Sequence, residues 1–127
     1  MKLIKPYLLL MVIVWLPWGL ACIFNTAIIE DIIGVTGLHS TGTTDIRVMY
    51  GGVQFAVGLM ALVALFRNAY LKHTLFGLAF LGCTMAFARG YGMIIDNSPT
   101  FYNWGVICFE AFTGLSALIW LKSIPKD

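Results

Sequence analysis

Charge is what this sequence has least of. Only 11% of its 127 residues are Asp, Glu, Lys or Arg, while 60% are hydrophobic and the mean hydropathy is +0.88. A soluble domain carries about 25% charged and about 45–50% apolar residues. A core of this size cannot hide the excess from water, so lipid must cover it. The net charge of +2 has no basic run to suit nucleic acid, and no low-complexity stretch suggests disorder. Cysteine is also scarce. Cys22, Cys83 and Cys108 all fall in apolar stretches without a C-x-x-C pair, which excludes a disulfide scaffold and a thiol-redox pair and leaves them as small packing residues. Zinc-protease, hydrolase and phosphate-cradling glycine motifs are missing, so the sequence gives no metal site and no cofactor.

What is present is four apolar runs, each near the roughly 20 residues that a helix needs to cross a bilayer. They span Tyr7 to about Phe24, Ile46 to Phe66, Thr74 to Ile95 and Asn103 to Leu121. This predicts an all-α integral membrane protein, a single domain formed as an up-down bundle of four transmembrane helices. Gly34 to Thr44 is rich in Gly, Ser and Thr and reads as a loop; Arg67 to His73 reads as a tight polar turn. Asp96-Asn97-Ser98-Pro99 reads as a helix stop followed by a start, with Ser98 as N-cap and Pro99 at the first helical position. Pro17 should kink or loosen the first helix. Ile28 to Ile33, too short to span, is expected to extend the first helix or to form an interfacial turn.

Flanking charges set the orientation. Lys2 and Lys5 precede the first span, Arg67 and Lys72 separate the second from the third, and Lys122 and Lys126 follow the fourth. The other two connections carry Glu30, Asp31, Asp45 and Asp96. Lys and Arg favour cytoplasmic loops, so both termini are predicted in the cytoplasm. His39 and His73 then lie on opposite sides of the membrane and cannot share a metal. The first span resembles a signal peptide but has no convincing cleavage site, and Gly19-Leu20-Ala21-Cys22 only loosely matches a lipoprotein cleavage box; an uncleaved signal anchor is expected. The tryptophans mostly suit interfaces, with Trp15 a candidate for packing inside the bundle.

Polar side chains inside the spans carry the functional signal. A charge at the centre of a helix in lipid costs on the order of 2.5–3.5 kcal/mol on insertion scales, so it faces protein or trapped water. Arg47, Arg89 and Glu110 are such charges, joined by Gln54. At a rise of about 1.5 Å per residue, Glu110 lies about 10 Å and Arg89 about 9 Å inside the outer ends of their helices. Gln54 is somewhat deeper in the second helix and Arg47 nearer its outer surface, so all four fall in the outer half of the membrane.

Helical spacing sharpens this. Arg47, Gly51, Gln54 and Gly58 form one stripe, Gly82, Ala86 and Gly90 repeat every fourth residue beside Arg89, and Glu110 shares a face with Gly114. The simplest arrangement is an Arg89–Glu110 ion pair, with Gln54 and Tyr50 adding hydrogen bonds and Arg47 held by Asp45 or Asp96. Such a cluster fits three roles: fixing helix register, receiving a ligand, or conducting protons or ions. Two arginines against one deep carboxylate leave a positive excess, which favours an anionic headgroup entering from the outer side.

The run Asp45-Ile-Arg47-Val-Met-Tyr50-Gly51-Gly52-Val-Gln54, followed by Ala88-Arg89-Gly90 and Glu110, resembles a bacterial four-helix membrane family known as domain of unknown function 4345. The likeness extends over nearly the whole chain from the first helix onward, and its most specific part is the D-x-R-x-x-Y-G-G-x-Q run. It implies a four-helix bundle in a bacterial cytoplasmic (inner) membrane and brings no established activity, substrate or cofactor. Two functions follow. The first is a binding or accessory membrane component, whose cluster of Arg47, Tyr50, Gln54, Arg89 and Glu110, supported by Asp45 and Asp96, holds the bundle or takes a small anionic or lipid-like ligand. The second is a small membrane enzyme or transporter in which Glu110 accepts a proton and Arg89 orients an acidic group. Spare glycine faces on the second and third helices also suit homo-oligomers or contacts with other membrane subunits.

Overall fold

A computed structural model describes residues 3–124, so Lys2 and Lys126 of the flanking charges lie outside the described residues. Those residues are helical, with no strand among them, and four helices are long and apolar enough to cross a membrane: Ile4–Phe24, Ser40–Phe66, Asn68–Ile95 and Phe101–Ser123. The chain divides into two compact units, one ending at Arg67 and one beginning at Asn68. Each is a helical hairpin.

In the first hairpin α1 (Ile4–Phe24) runs uninterrupted through Pro17. The proline lacks the N–H that would reach back one turn and its ring crowds the carbonyl there, yet α1 continues through it as one helix. Asn25, in an extended conformation, ends α1 by donating its N–H to the Ala21 carbonyl. The Ile28–Ile33 stretch forms a separate short helix α2 (Ala27–Ile33), closed by Gly34 at φ +71°, a left-handed position that glycine takes without Cβ strain.

The expected loop to Thr44 is shorter than its composition suggests, because Ser40 to Thr44 are already helical in α3 (Ser40–Ile46). The hydroxyls of Thr43 and Thr44 donate back to the His39 and Ser40 carbonyls, at 3.4 and 3.1 Å. Polar groups satisfied in that way no longer oppose a helix. The backbone then takes a π-helical course over Arg47–Val53 before α4 (Gln54–Phe66).

α1 and α4 are antiparallel and in backbone contact. A Cβ on Gly51 would lie 2.8 Å from the Ile23 nitrogen, one on Gly19 would lie 2.6 Å from the Phe55 Cα, and one on Gly58 would lie 2.6 Å from the Leu16 nitrogen. Paired small residues are how helices approach in lipid, where no hydrophobic force drives them together.

The second hairpin opens with a 3₁₀ turn at Asn68–Tyr70, which shortens the expected polar turn, and continues into α5 (Leu71–Ile95) and the antiparallel α6 (Phe101–Ser123). Asn97, at φ 47°, reverses the chain, and the Ser98 N–H returns to the Met93 carbonyl at 3.1 Å. This is a Schellman closure with Asn in the left-handed place. Ser98 and Pro99 are consumed by this turn, so α6 starts later than expected. Its N-cap is Thr100, whose hydroxyl accepts the Asn103 N–H at 3.2 Å, and not Ser98. Removing that cap in Thr100→Ala should lower the unfolding free energy of the detergent-solubilised protein by about 1 kcal/mol. The same substitution at Ser98, whose hydroxyl caps nothing, should have less effect.

Candidate functional site

The second hairpin places a charge pair on a glycine seam. On α6, Asn103, Glu110, Gly114 and Ala117 are spaced by seven, four and three residues and so share one face. On α5, Leu75, Leu78, Gly82 and Arg89 do the same. Gly82 and Gly114 bring the two backbones together. A Cβ at Gly82 would lie 2.7 Å from the Glu110 carbonyl oxygen, and one at Gly114 would lie 2.5 Å from the Cys83 nitrogen. This approach delivers the Arg89 guanidinium, two turns along α5, to the Glu110 carboxylate.

The pair is bidentate. Arg89 Nε donates to Glu110 Oε2 and Nη2 to Oε1, each at 2.8 Å. Two parallel charge-assisted bonds match the planar fork of arginine to the carboxylate and fix direction as well as distance. Glu110 is 1% exposed, and the Arg89 side chain 25%. Arg89 Nη1 donates to Asn103 Oδ1 at 3.0 Å, and Asn103 Nδ2 donates to the Ser98 carbonyl at 2.9 Å. The amide orientation is dictated by its neighbours, since guanidinium only donates and a carbonyl only accepts. The Tyr102 ring lies 6.0 Å from the Arg89 guanidinium carbon, at the outer limit of cation–π attraction. The result is a chain of bonds from Glu110 through Arg89 and Asn103 to the turn that starts α6.

Spacing predicts the meeting of Arg89 and Glu110; it gave no prominence to Asn103. The available signal was its position seven residues before Glu110 on the same face. Asp96, expected as a supporting charge, sits at the C-cap of α5, its carboxylate folded toward Gly92.

Arg47, Tyr50 and Gln54 belong to the first hairpin. Arg47 lies on the π-helical segment and donates through Nη1 to the Ile23 carbonyl near the end of α1. That carbonyl is one of the last four of its helix, which have no partner within the helix. Arg47 therefore serves as a C-cap where a carboxylate partner was expected. Asp45, two residues earlier, projects from a different side of the helix and is exposed. Tyr50 and Gln54 are half-buried, and among the described residues their side chains make no hydrogen bond. The π-helical course went unpredicted, although the adjacent Gly51-Gly52 marks a place where backbone preference is weak. Among the described residues no group of His, Cys, Asp and Glu side chains has the geometry of a metal site.

No curated protein and no solved structure matches this chain. The model of one family, Domain of unknown function (DUF4345), matches residues 3–121, which is nearly the whole sequence carrying these two hairpins, and the protein belongs to that family.

Proposed function

We propose that the protein is a multi-pass component of a bacterial cytoplasmic membrane that binds or assists other membrane constituents without catalysing a reaction. Both termini face the cytoplasm in this reading, supported by the basic residues before α1, between α4 and α5 and after α6. Lipid covers the apolar faces, among them the exposed Phe76, Phe80, Phe87 and Tyr91 along α5.

The observation that carries the non-catalytic reading is the state of Glu110. Both of its oxygens are held by Arg89 and almost none of its surface is open. A general base must reach the proton it abstracts and have an oxygen lone pair directed at it. Glu110 instead has the setting of a fastening for α5 and α6, and the ligand-binding or accessory role falls to the less saturated polar groups of the chain. Association with a second copy or with another membrane subunit is part of the same proposal.

Proteoliposomes carrying a trapped pH-sensitive dye provide the test. After an imposed pH jump, vesicles with and without the protein should equilibrate at the same rate, and Glu110→Gln should change nothing. Faster equilibration that disappears in Glu110→Gln would make Glu110 a proton carrier and overturn the reading.

A further inference from the structure

The two arginines of the spans are held differently. Arg89 faces a carboxylate; Arg47 faces a backbone carbonyl. The negative end of a helix macrodipole is worth about half a charge, so the α1 terminus offsets Arg47 only in part. Among the described residues Arg47 has no carboxylate partner. Tyr50 and Gln54 follow at three and seven residues, both half-buried in an apolar span and both without a hydrogen-bond partner among the described residues.

Over Arg47–Val53 the helix is π-wound, a course with i to i+5 hydrogen bonds that recurs at functional sites. Arg47 and Gly51, four residues apart, both face Ile23: Arg47 through its side chain, and Gly51 by close backbone approach. Gly52, by contrast, has nothing within 4 Å of where a Cβ would be, so it faces away from α1. Depth bears on the ligand chemistry. In the embedding proposed above Arg47 lies toward the outer end of a span that continues for twenty residues to Phe66, about as many as cross the hydrocarbon of a bilayer, and a long arginine side chain near a helix end reaches toward the headgroups.

We propose that the Arg47 end of the first hairpin is a phosphate-oxyanion site. Arg47 supplies the charge and a bidentate fork, sharing or exchanging the Ile23 carbonyl for phosphate oxygens, while the Tyr50 hydroxyl and the Gln54 amide donate the further bonds. The proposal rests on the membrane embedding and binding role given above. The same chemistry serves the headgroup of an anionic phospholipid or free phosphate.

The test is native mass spectrometry of the full chain in an uncharged detergent, titrated with phosphatidylglycerol or with diacylglycerol, which has the same acyl chains and no phosphate. Wild type should retain phosphatidylglycerol about fivefold more than diacylglycerol, the order expected of one solvent-accessible charge pair. Arg47→Gln should abolish that preference, and Arg67→Gln, at the opposite end of the span, should keep it. Displacement of the lipid by millimolar inorganic phosphate would identify the free anion as an accepted ligand; retention in its presence would identify the lipid headgroup.

No preference in wild type, an unchanged preference in Arg47→Gln, or equal loss in Arg67→Gln would overturn the site. If Arg47→Gln does not fold, Tyr50→Phe and Gln54→Leu keep both charge and cap. At least one should lower retention two- to threefold, an order set by the loss of one hydrogen bond, and no change in either would overturn the site. Failure here leaves the proton-flux result for Glu110 as it stands, and a Glu110-dependent flux leaves lipid retention by Arg47 as it stands. A chain that alkaline carbonate strips from membranes would sink both.

Discussion

Replacing Gly82 with leucine is expected to force α5 and α6 apart and to lower the unfolding free energy of the second hairpin by about 3 kcal/mol, the upper end of what overpacking a core costs. What a new Cβ meets accounts for this size. It would lie 2.7 Å from the Glu110 carbonyl oxygen and 2.7 Å from the Gly114 Cα. Both are backbone atoms, so no rotamer change can move them aside. The helices must separate, and because the atom struck belongs to Glu110 itself, the displacement is applied at the residue Arg89 has to reach. Gly105→Leu is the control on α6, since nothing lies within 4 Å of its Cβ position. Its effect should stay near the ±0.5 kcal/mol of a neutral surface change, or stabilise slightly through better helix propensity. Unfolding both variants in mixed micelles with increasing dodecyl sulfate gives the comparison. If Gly82→Leu is no more damaging than Gly105→Leu, the glycine seam does not set the approach of the two helices.

The first hairpin uses the same device three times, at Gly19, Gly51 and Gly58. Gly51, Gly58 and Gly82 were readable in the sequence because small residues at helical spacing inside an apolar run have few purposes other than close approach. The four long helices were readable for a similar reason, since length and apolarity are properties of the run itself. The Arg89–Glu110 pair was legible because two opposite charges in apolar helices constrain one another strongly.

The partner of Arg47 was not legible. A search among charged residues looks for a carboxylate, whereas a carbonyl is carried by every residue and leaves no mark in the sequence; only the fold shows that Ile23 ends a helix beside it. The α6 cap failed differently. Ser98, Pro99 and Thr100 all suit a helix start, and the choice went to Thr100 because the left-handed turn at Asn97 takes up Ser98 and Pro99. Ser40 to Thr44 read as loop by composition, yet two of their hydroxyls bond back into the helix they were expected to interrupt.

Breaking the ion pair from one side should be costly, and removing it whole should not be. In Glu110→Gln the Arg89 guanidinium loses its counter-charge and one of its two bonds, because the amide nitrogen donates and cannot accept. In Arg89→Gln a carboxylate that is 1% exposed is left without its cation. Either single change is expected to cost about 3–5 kcal/mol, the usual effect of stranding a buried charge. Within a bilayer the asymmetry would be sharper, because no bulk water would be at hand to replace the missing partner. Arg89→Met combined with Glu110→Leu removes both charges and fills the space with apolar groups, so the double variant should regain most of the loss and lie within about 1–2 kcal/mol of wild type. Asn103 limits the recovery: its Oδ1 loses the Arg89 donor while its Nδ2 still holds the Ser98 carbonyl, so one acceptor is left unmatched. With the matching singles Arg89→Met and Glu110→Leu, unfolded under identical micelle conditions, wild type and the double variant form a double-mutant cycle with a coupling energy of several kcal/mol. A double variant as unstable as the sum of the singles would mean that Arg89 and Glu110 act separately on the hairpin. A recovered double variant that also keeps its phosphatidylglycerol preference would divide the labour of the chain between two arginines, one fastening helices and the other meeting the ligand.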